Sequence, residues 1–273
     1  MGFLFRSVLP GSLMGILNIT PDSFSEGGRD FDPAAAVGHG MEMVGAGAVV
    51  LDLGAEASSF FRDGIAPVVP EEQLRRLLPV VRTLVRRVPE VPLSIDTRSA
   101  LVAEACLAEG AAIINDISAG TQDVAMLPTV ARHGAAAILM HIMPEYPATA
   151  SDDADIVGRV RDYLAQRVAA AEAAGIARER LAVDPGLGFG KSATDNWRLI
   201  ARLESLAPAG VAVVLGASRK RFLATLPPPE LGLGFTGFLA AAAEGPHPRD
   251  RATAALTTLV GQRAQLHRVH AMS

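Results

Sequence analysis

Eight short apolar runs recur along the chain, separated by longer segments with helical periodicity. The runs are Leu13–Thr20, Ala48–Gly54, Val91–Thr97, Ala111–Ile117, Ala136–Ile142, Leu181–Gly186, Val211–Ala217 and Ala264–His270. They are continuous and do not alternate with polar residues, which is typical of parallel strands that are buried on both faces. The pattern therefore predicts eight parallel strands.

The segments between the runs predict helices. Glu71–Arg87 follows Pro70 and ends in a basic turn, and Asp152–Ala174 is amphipathic and stops before Gly175; both fit the preferences of helix ends. Alternation of strand and helix indicates a single α/β domain over residues 1–273, a (β/α)8 barrel of the TIM type rather than an open sheet. Pro227–Asp250 is a Pro/Gly-rich interruption, which we interpret as a long loop with a short helix inside.

Composition and charge narrow the class of function. The chain has 273 residues and a formal net charge of −4, so bulk electrostatics give it no attraction to nucleic acid or to an anionic membrane. No apolar run reaches the 18 residues that a membrane span needs. Cys106 is the single cysteine, so the chain cannot form an internal disulfide. A reducing, cytoplasmic compartment is therefore the simplest assumption. We expect Cys106 to be buried.

Polar residues lie at the carboxyl ends of the apolar runs, where barrel enzymes build their active sites. In chain order they are Asn18, Asp52, Asp96, Asn115, Asp116, His141, Asp184, Ser218, Arg219, Lys220, Arg268 and His270. We expect all eight strand ends to deliver such a group into one mouth, because unpartnered buried charge is costly and a core made only for stability would avoid it.

These residues fall into two sets by charge. Asp52, Asp96, Asn115 and Asp184 form an acceptor-rich set, which suits the N–H donors of a flat heterocycle such as a 2-amino-pyrimidinone. Lys220, Arg268 and His270 form a cationic set, which suits phosphate groups. The two sets predict a ligand with a heterocycle at one end and a phosphate ester at the other.

Two other site types are disfavoured by spacing. The segment DPGLGFGKS at Asp184–Ser192 looks like a phosphate-binding P-loop, but only three residues separate Gly186 from Gly190 where the pattern needs four. We interpret its glycines as places where backbone approaches a ligand, with Phe189 as an apolar wall. His141 could act as a metal ligand or a base, but it lacks the sequence neighbours of a zinc site.

With these residues in view, the chain resembles the dihydropteroate synthases of folate biosynthesis. The matching segments, in the family's order across about residues 13 to 270, are MGILNITPDSFSEGG, DLGAE, SIDTRSA, INDIS, LMH, DPGLGFGK, GASRK and RVH. The resemblance implies a transferase that condenses 6-hydroxymethyl-7,8-dihydropterin diphosphate with p-aminobenzoate, using Mg²⁺. It also implies a homodimer.

The resemblance further implies roles for the matching positions. The pterin-binding residues would be Asp52, Asp96, Asn115, Met140, Asp184, Gly216 and Lys220. The p-aminobenzoate site would comprise Ser58, Phe189, Ser218 and Lys220, and the diphosphate site Asn18, Arg62, Arg268 and His270. Asn18 would also hold the metal ion, and Asp96, Lys220, Arg268 and His270 would be catalytic. Thr20–Gly28 would form a first mobile loop.

Three departures from the family pattern leave an alternative open. The second loop reads GAEASSFFRDG at Gly54–Gly64 instead of GGESTRPGA, and Glu26 replaces the usual Asp. Ala271 stands where an acidic residue and then an eighth helix normally follow, so we expect that helix, which helps to form the family's dimer, to be missing. The alternative is a pterin-binding paralogue without synthase activity, or one that acts on another nucleophile, as in methyl-pterin and corrinoid chemistry.

Overall fold

Eight parallel strands close into a barrel in the computed structural model, which describes residues 3–20, 32–56, 67–144, 146, 152–233 and 248–271. The strands are β1 (Ser12–Asn18), β2 (Ala48–Gly54), β3 (Leu93–Asp96), β4 (Ile113–Asp116), β5 (Ala136–Met140), β6 (Leu181–Asp184), β7 (Ala212–Leu215) and β8 (Leu266–Val269). Each strand pairs with the next, and β8 returns to β1. The predicted TIM-type barrel is confirmed.

Most of the strands are shorter than the apolar runs that predicted them. Val91 and Ala111, for example, precede β3 and β4 and are buried without belonging to either strand. At the other end, His141 and His270 lie just beyond β5 and β8. A hydrophobic run reports burial, whereas a strand requires ladder hydrogen bonds, so the two need not share their limits.

Seven α-helices cover the barrel within the described residues. They are α1 (Pro33–Gly45), α2 (Pro70–Arg87), α3 (Ala100–Ala108), α4 (Met126–Arg132), α5 (Ile156–Ala173), α6 (Ala193–Ala201) and α7 (Pro248–Val260). The described part of the chain shows no helix after β8, but it stops at Ala271. None of the helices in the described ranges is long and apolar enough to cross a membrane.

The predicted interruption at Pro227–Asp250 is partly corrected. A short 3-10 turn, Pro229–Leu231, lies inside it as expected, but its last three residues already belong to α7. Pro248 opens that helix, a position that tolerates proline because the first amide of a helix has no partner within it. Residues 234–247 lie outside the described residues.

Side chains inside the barrel follow a period of two that the sequence conceals. In β2, Val50 belongs to the core inside the barrel, whereas Leu51 and Leu53 pack into the layer between barrel and helices. Asp52 therefore shares the inward face with Val50. Because both faces of β2 are buried, its sequence is almost continuously apolar. Its inward positions nevertheless change along the strand from apolar Val50 to charged Asp52. Cys106 lies in the outer layer and is buried, as expected.

The amino-terminal end of the barrel is filled with apolar side chains. Its inward layer consists of Phe5, Met14, Val50, Ile113, Ala136, Ile138, Ala182, Ala212, Val214 and Leu266. Phe5 comes from the short segment that precedes β1, and its ring packs edge-on against Phe3 at 5.0 Å. This segment closes the lower end, so the cavity described next opens at the carboxyl ends of the strands.

Candidate active site

A cavity of about 870 Å³ lies at the carboxyl ends of the strands, a volume within the usual range of ligand pockets. It brings together most of the residues that the sequence singled out. Those that line it are Asn18, Asn115, Met140, Asp184, Phe189, Gly216, Ser218, Arg219, Lys220, Arg268 and His270. The prediction that polar strand ends converge on one mouth holds for these positions.

The base of the cavity is an ionic network centred on Arg268. Its Nε donates to Asp52 Oδ2 at 2.5 Å and its Nη2 to Asp96 Oδ2 at 2.6 Å. Asn115 Nδ2 donates to the same oxygen of Asp52 at 3.1 Å. The two sets predicted from charge are therefore not separate, because Arg268 lies among the acceptors. These contacts form because the Arg268 side chain points from β8 into the barrel, where it meets the inward side chains of β2 and β3.

Burial shifts the pKa values of this network. Desolvation raises the pKa of Asp96 to about 7; Arg268 opposes the shift and Asp52 adds to it. Desolvation would lower the pKa of Arg268, but the two carboxylates outweigh it and raise that pKa. Among the described residues, Asp52 Oδ1 has no hydrogen-bond partner although it is buried. The base of the site thus holds acceptor capacity that this network leaves unused.

Asp184 supplies a third carboxylate, on the opposite side of the barrel from Asp52. Its Oδ1 accepts the amide of Gly186 at 2.7 Å, and desolvation raises its pKa, opposed first by that hydrogen bond and then by Lys220. A Cβ on Gly216 would lie 3.1 Å from Asp184 Oδ2. Gly216 therefore leaves the carboxylate room that a larger residue would restrict.

Lys220 and Phe189 form one wall of the cavity. The Lys220 Nζ lies 4.0 Å from the centroid of the Phe189 ring, within cation–π distance. Gly188 allows the loop to approach this lysine, since its φ is +78° and a Cβ there would lie 3.0 Å from Lys220 Cδ. The wall combines the aromatic face of Phe189, which the sequence predicted to be an apolar wall, with the positive charge of Lys220.

His270 is positioned by Ser218. Ser218 Oγ lies 3.1 Å from the His270 amide and 3.0 Å from its Nδ1. Desolvation, together with Arg268, Arg219 and Lys220, lowers the pKa of His270 to about 4. The imidazole is therefore neutral near pH 7. Burial first and then the neighbouring cations disfavour the charged form that the predicted cationic set assumed.

Two strand-end residues do not face the cavity. Asp116 points outward from β4, and its carboxylate accepts the amides of Ser118 and Gly120 at 2.8 and 2.6 Å. His141 packs its ring edge-on against Tyr163, with centroids 5.0 Å apart, and desolvation lowers its pKa to about 3. Both residues support the structure around the barrel, which corrects the expectation that every strand end contributes to the mouth.

Asp52 and Asp96 reach the site indirectly. Neither borders the cavity itself; both are linked to it through Arg268. Ser58 and Arg62, the two second-loop residues assigned to p-aminobenzoate and diphosphate, lie outside the described residues, as does the first loop after Thr20. Their predicted roles stay predictions.

Sequence reasoning missed Lys191, which borders the cavity although it is only 4% exposed. Lys191 occupies the lysine position of the P-loop-like segment, and it received no role because that segment does not have P-loop spacing. One sequence signal could have found it: Lys191 ends a glycine-rich segment that follows an apolar strand. A lysine at such a position is a candidate for a buried charge, and buried lysines are unusual.

Comparison with known proteins places this cavity in a family. The family model described as pterin binding enzyme matches residues 14–270. The chain belongs to this family of pterin-binding enzymes. The resemblance to dihydropteroate synthases is also confirmed by similar proteins. The dihydropteroate synthase of Mycobacterium leprae is 42% identical over 93% of this chain and 85% of its own length. That of Escherichia coli K12 is 39% identical over 78% and 75%.

Solved structures of dihydropteroate synthases share the fold. The Xanthomonas albilineans enzyme with 4-aminobenzoic acid has a TM-score of 0.81 and 40% identity, covering 97% of this chain and 88% of that one. The same enzyme in complex with 7,8-dihydropteroate has a TM-score of 0.75, 38% identity and the same coverage.

Proposed function

We propose that this protein is a dihydropteroate synthase. It would condense 6-hydroxymethyl-7,8-dihydropterin diphosphate with p-aminobenzoate to give 7,8-dihydropteroate and diphosphate. The observation that carries the proposal is the composition of one cavity, which joins buried acceptors at its base to the aromatic and cationic wall of Phe189 and Lys220. Membership of the pterin-binding family supports it, as do relatives named for this activity.

The acceptors suit the pterin. A pterin ring carries several N–H donors on one edge, and Asp184 and Asn115 border the cavity with carboxylate and amide oxygens. Buried N–H donors of a ligand need such acceptors, because each unpaired group costs about 1–3 kcal/mol. The unused Asp52 Oδ1 adds capacity behind them. We infer that the heterocycle lies at this end of the site.

The diphosphate would lie toward Asn18, Arg268 and His270, which border the same cavity. Arg268 can donate in bidentate fashion, and His270 would donate a hydrogen bond to the diphosphate, whose negative charge would raise the lowered pKa of the imidazole. The guanidinium is bound to Asp52 and Asp96, so its use for phosphate requires the pterin to take over part of that bonding.

The donor set is compatible with Mg²⁺. Within the described residues no group of three His, Cys, Asp or Glu side chains could hold a metal ion. Asn18 nevertheless offers a hard amide oxygen at the cavity, and Mg²⁺ commonly uses few protein ligands beside substrate phosphates and water. Asn18 would therefore hold the ion together with the diphosphate. Mg²⁺, when bound, would neutralise charge on the leaving group.

The reaction follows from this placement of charge. The bond between the pterin methylene carbon and the diphosphate oxygen breaks, and the electron pair leaves with diphosphate. Carboxylates such as Asp184 favour the positive charge that develops on the pterin. The amine nitrogen of p-aminobenzoate, held at the wall of Phe189 and Lys220, forms the new C–N bond and then releases a proton to the leaving group or solvent. Oriented binding of the two substrates supplies much of the rate.

One assay tests the proposal directly. The full chain is mixed with the pterin diphosphate, p-aminobenzoate and Mg²⁺, and both diphosphate release and dihydropteroate are followed. Product from both assays is expected. If the protein binds 6-hydroxymethylpterin, measured by calorimetry, but forms no dihydropteroate, the proposal is wrong and the pterin-binding paralogue is favoured. Omission of Mg²⁺ should slow diphosphate release; an unchanged rate would contradict the role given to Asn18.

A further inference from the structure

Lys191 is a buried cation that joins two loops at the mouth of the barrel. Its Nζ donates to the carbonyl oxygens of Gly186 at 2.8 Å, His141 at 3.1 Å and Phe189 at 3.4 Å. The three donors of an ammonium group thus meet three acceptors, which is what burial of this charge demands. His141 follows β5, whereas Gly186 and Phe189 follow β6. The lysine therefore fixes one loop to the other.

The same contacts define where Phe189 lies. The Phe189 amide donates to Gly186 O at 3.2 Å and closes a turn, while its carbonyl accepts from Met143 at 3.3 Å as well as from Lys191. A Cβ on Gly186, whose φ is +66°, would collide with the carbonyl oxygen of His141, so the two loops are in direct contact. Lys191 bonds to both ends of the turn that presents the aromatic ring.

Burial of the Lys191 charge costs free energy, which indicates that the side chain does more than fill space between the loops. Desolvation lowers its pKa to about 7, with Asp184 opposing and Lys220 adding to the shift. Replacement of buried charge by apolar side chains is often neutral or stabilising in a core. A loop that only had to pack would not need the ammonium, whereas a loop that must present a ring in one place gains from three directional bonds.

We propose that Lys191 is a positioning residue for the wall formed by Phe189 and Lys220. Its ammonium holds the Gly186–Phe189 turn, and the turn holds the Phe189 ring beneath Lys220 Nζ. The inference rests on the proposed function, in which this wall receives the aromatic amine. It assigns Lys191 to the amine half of the site, because the turn that Lys191 holds presents Phe189. Asn115 and Asp184 belong to β4 and β6, and within the described residues the Asp184 side chain bonds to the turn only through the amide of Gly186.

Substitutions of Lys191 test this with a matched control. Lys191→Met keeps the length of the side chain but removes all three donors, and Lys191→Gln keeps a donor without charge. Arg167→Met is the control, because the half-buried Arg167 also donates to a loop carbonyl, that of Ala119 at 2.8 Å, but does not border the cavity. Three quantities are measured for each variant: the KM for p-aminobenzoate, the Kd for 6-hydroxymethylpterin, and amide hydrogen exchange over residues 186–190.

For Lys191→Met we expect the KM for p-aminobenzoate to rise about tenfold or more, in line with the loss of hydrogen bonds to a charged group. The pterin Kd should change less than about twofold, and exchange over residues 186–190 should accelerate. Lys191→Gln should give intermediate values in both readouts. Arg167→Met should leave all three quantities at wild-type values and accelerate exchange near residue 119 instead.

Three outcomes overturn the inference. Unchanged exchange over residues 186–190 in both Lys191 variants would show that the ammonium does not fix the turn. Faster exchange with an unchanged KM would show that the turn does not serve the amine. Equal losses for amine and pterin would indicate a general structural role. If the wild type forms no dihydropteroate, the proposed function fails instead, and the exchange data together with the pterin Kd still decide whether Lys191 positions the turn.

Discussion

The lower and upper layers of the barrel interior differ in chemistry although the same strands supply both. On β2, the inward residue Val50 belongs to the apolar lower layer, and Asp52, two positions further, belongs to the ionic network of the upper layer. On β8 the corresponding pair is Leu266 and Arg268. Every strand except β3 contributes a residue to this apolar lower layer, and the carboxyl ends of the same strands lead to the site.

This difference shows how the fold divides stability from function. Apolar burial in the lower layer contributes about 25 cal/mol per Å² removed from water and requires no partner. Buried charge in the upper layer is tolerated only with compensation, which Arg268 and the two aspartates give one another. We therefore expect substitutions in the lower layer to change stability alone, and substitutions in the upper layer to change ligand binding as well.

The largest effect is expected for Arg268→Met. It leaves Asp52 and Asp96 buried without their cation, and breaking such a pair costs about 3–5 kcal/mol of unfolding free energy. The loss should be smaller at pH 6 than at pH 8, because a carboxyl group that takes up a proton no longer needs the guanidinium. Urea unfolding at both pH values measures it. A variant as stable as the wild type at pH 8 would show that the network does not compensate these charges.

Ile138→Ala tests the apolar lower layer. Ile138 is fully buried inside the barrel, and truncation of such a side chain costs about 2–5 kcal/mol. Urea unfolding should show this loss, while calorimetry should give a wild-type Kd for 6-hydroxymethylpterin. A large change in pterin affinity would mean that the two layers are coupled and that the division is weaker than the packing indicates.

Asp184→Asn should lower pterin affinity by roughly 10–150-fold, the equivalent of about 1.5–3 kcal/mol for a hydrogen bond to a charged group. Asp116→Asn is the matched control. Both aspartates end a strand, are buried, accept backbone amides and have raised pKa values, but only Asp184 borders the cavity. The control should lose stability and keep its pterin Kd, measured by calorimetry. Similar pterin losses in the two variants would refute the assignment of the pocket.

The smallest effect concerns pH. Asp96 has a pKa of about 7 instead of the usual 3.8 because it is desolvated, and its ionised form holds Arg268, which borders the cavity. Affinity for 6-hydroxymethylpterin should therefore fall as the pH drops below about 7, by at most about tenfold per unit. The effect on folding has the opposite sign: the folded protein keeps a proton that the unfolded chain releases, so this group favours folding less as pH rises from about 4 to 7.

Asp96→Asn provides the control for this pH dependence. The variant cannot ionise at this position, so its pterin affinity should be lower at pH 8 and nearly independent of pH between 6 and 8. Calorimetric titrations of both proteins over that range give the comparison. A slope that persists in Asp96→Asn would show that a group other than Asp96 is responsible for the titration.

The sequence predicted the number of strands, but not which residues of each strand face into the barrel. Eight apolar runs predicted eight strands correctly, because burial on both faces imposes that pattern in sequence. The same uniformity hid which residues face inward. Asn115 and Asp116 are adjacent at the end of β4 and equally plausible in sequence, yet only Asn115 borders the cavity. The pleat decides between them, and the run contains no polar alternation that reveals its phase.

Residue type predicted the chemistry of the site better than its electrostatics. Phe189, interpreted from the sequence as an apolar wall, borders the cavity, and Lys220 lies against its ring. Arg268 and His270 were grouped with Lys220 as cations, but Arg268 bonds to acidic side chains and His270 is neutral near pH 7. Charge state depends on burial and on neighbours across the barrel, and both arise only when distant strands meet.

The sequence by itself determined the class of barrel, the family, and the set of polar groups available at the mouth, because these follow from local burial patterns and from segments read along the chain. The tertiary structure alone decided which groups meet. Closure of the barrel brings Arg268 to Asp52 across 216 residues of chain. It also places Lys191 between the loops after β5 and β6. Hydrogen bonds and pKa values depend on distances of a few ångströms, and such distances exist only after the chain has closed on itself.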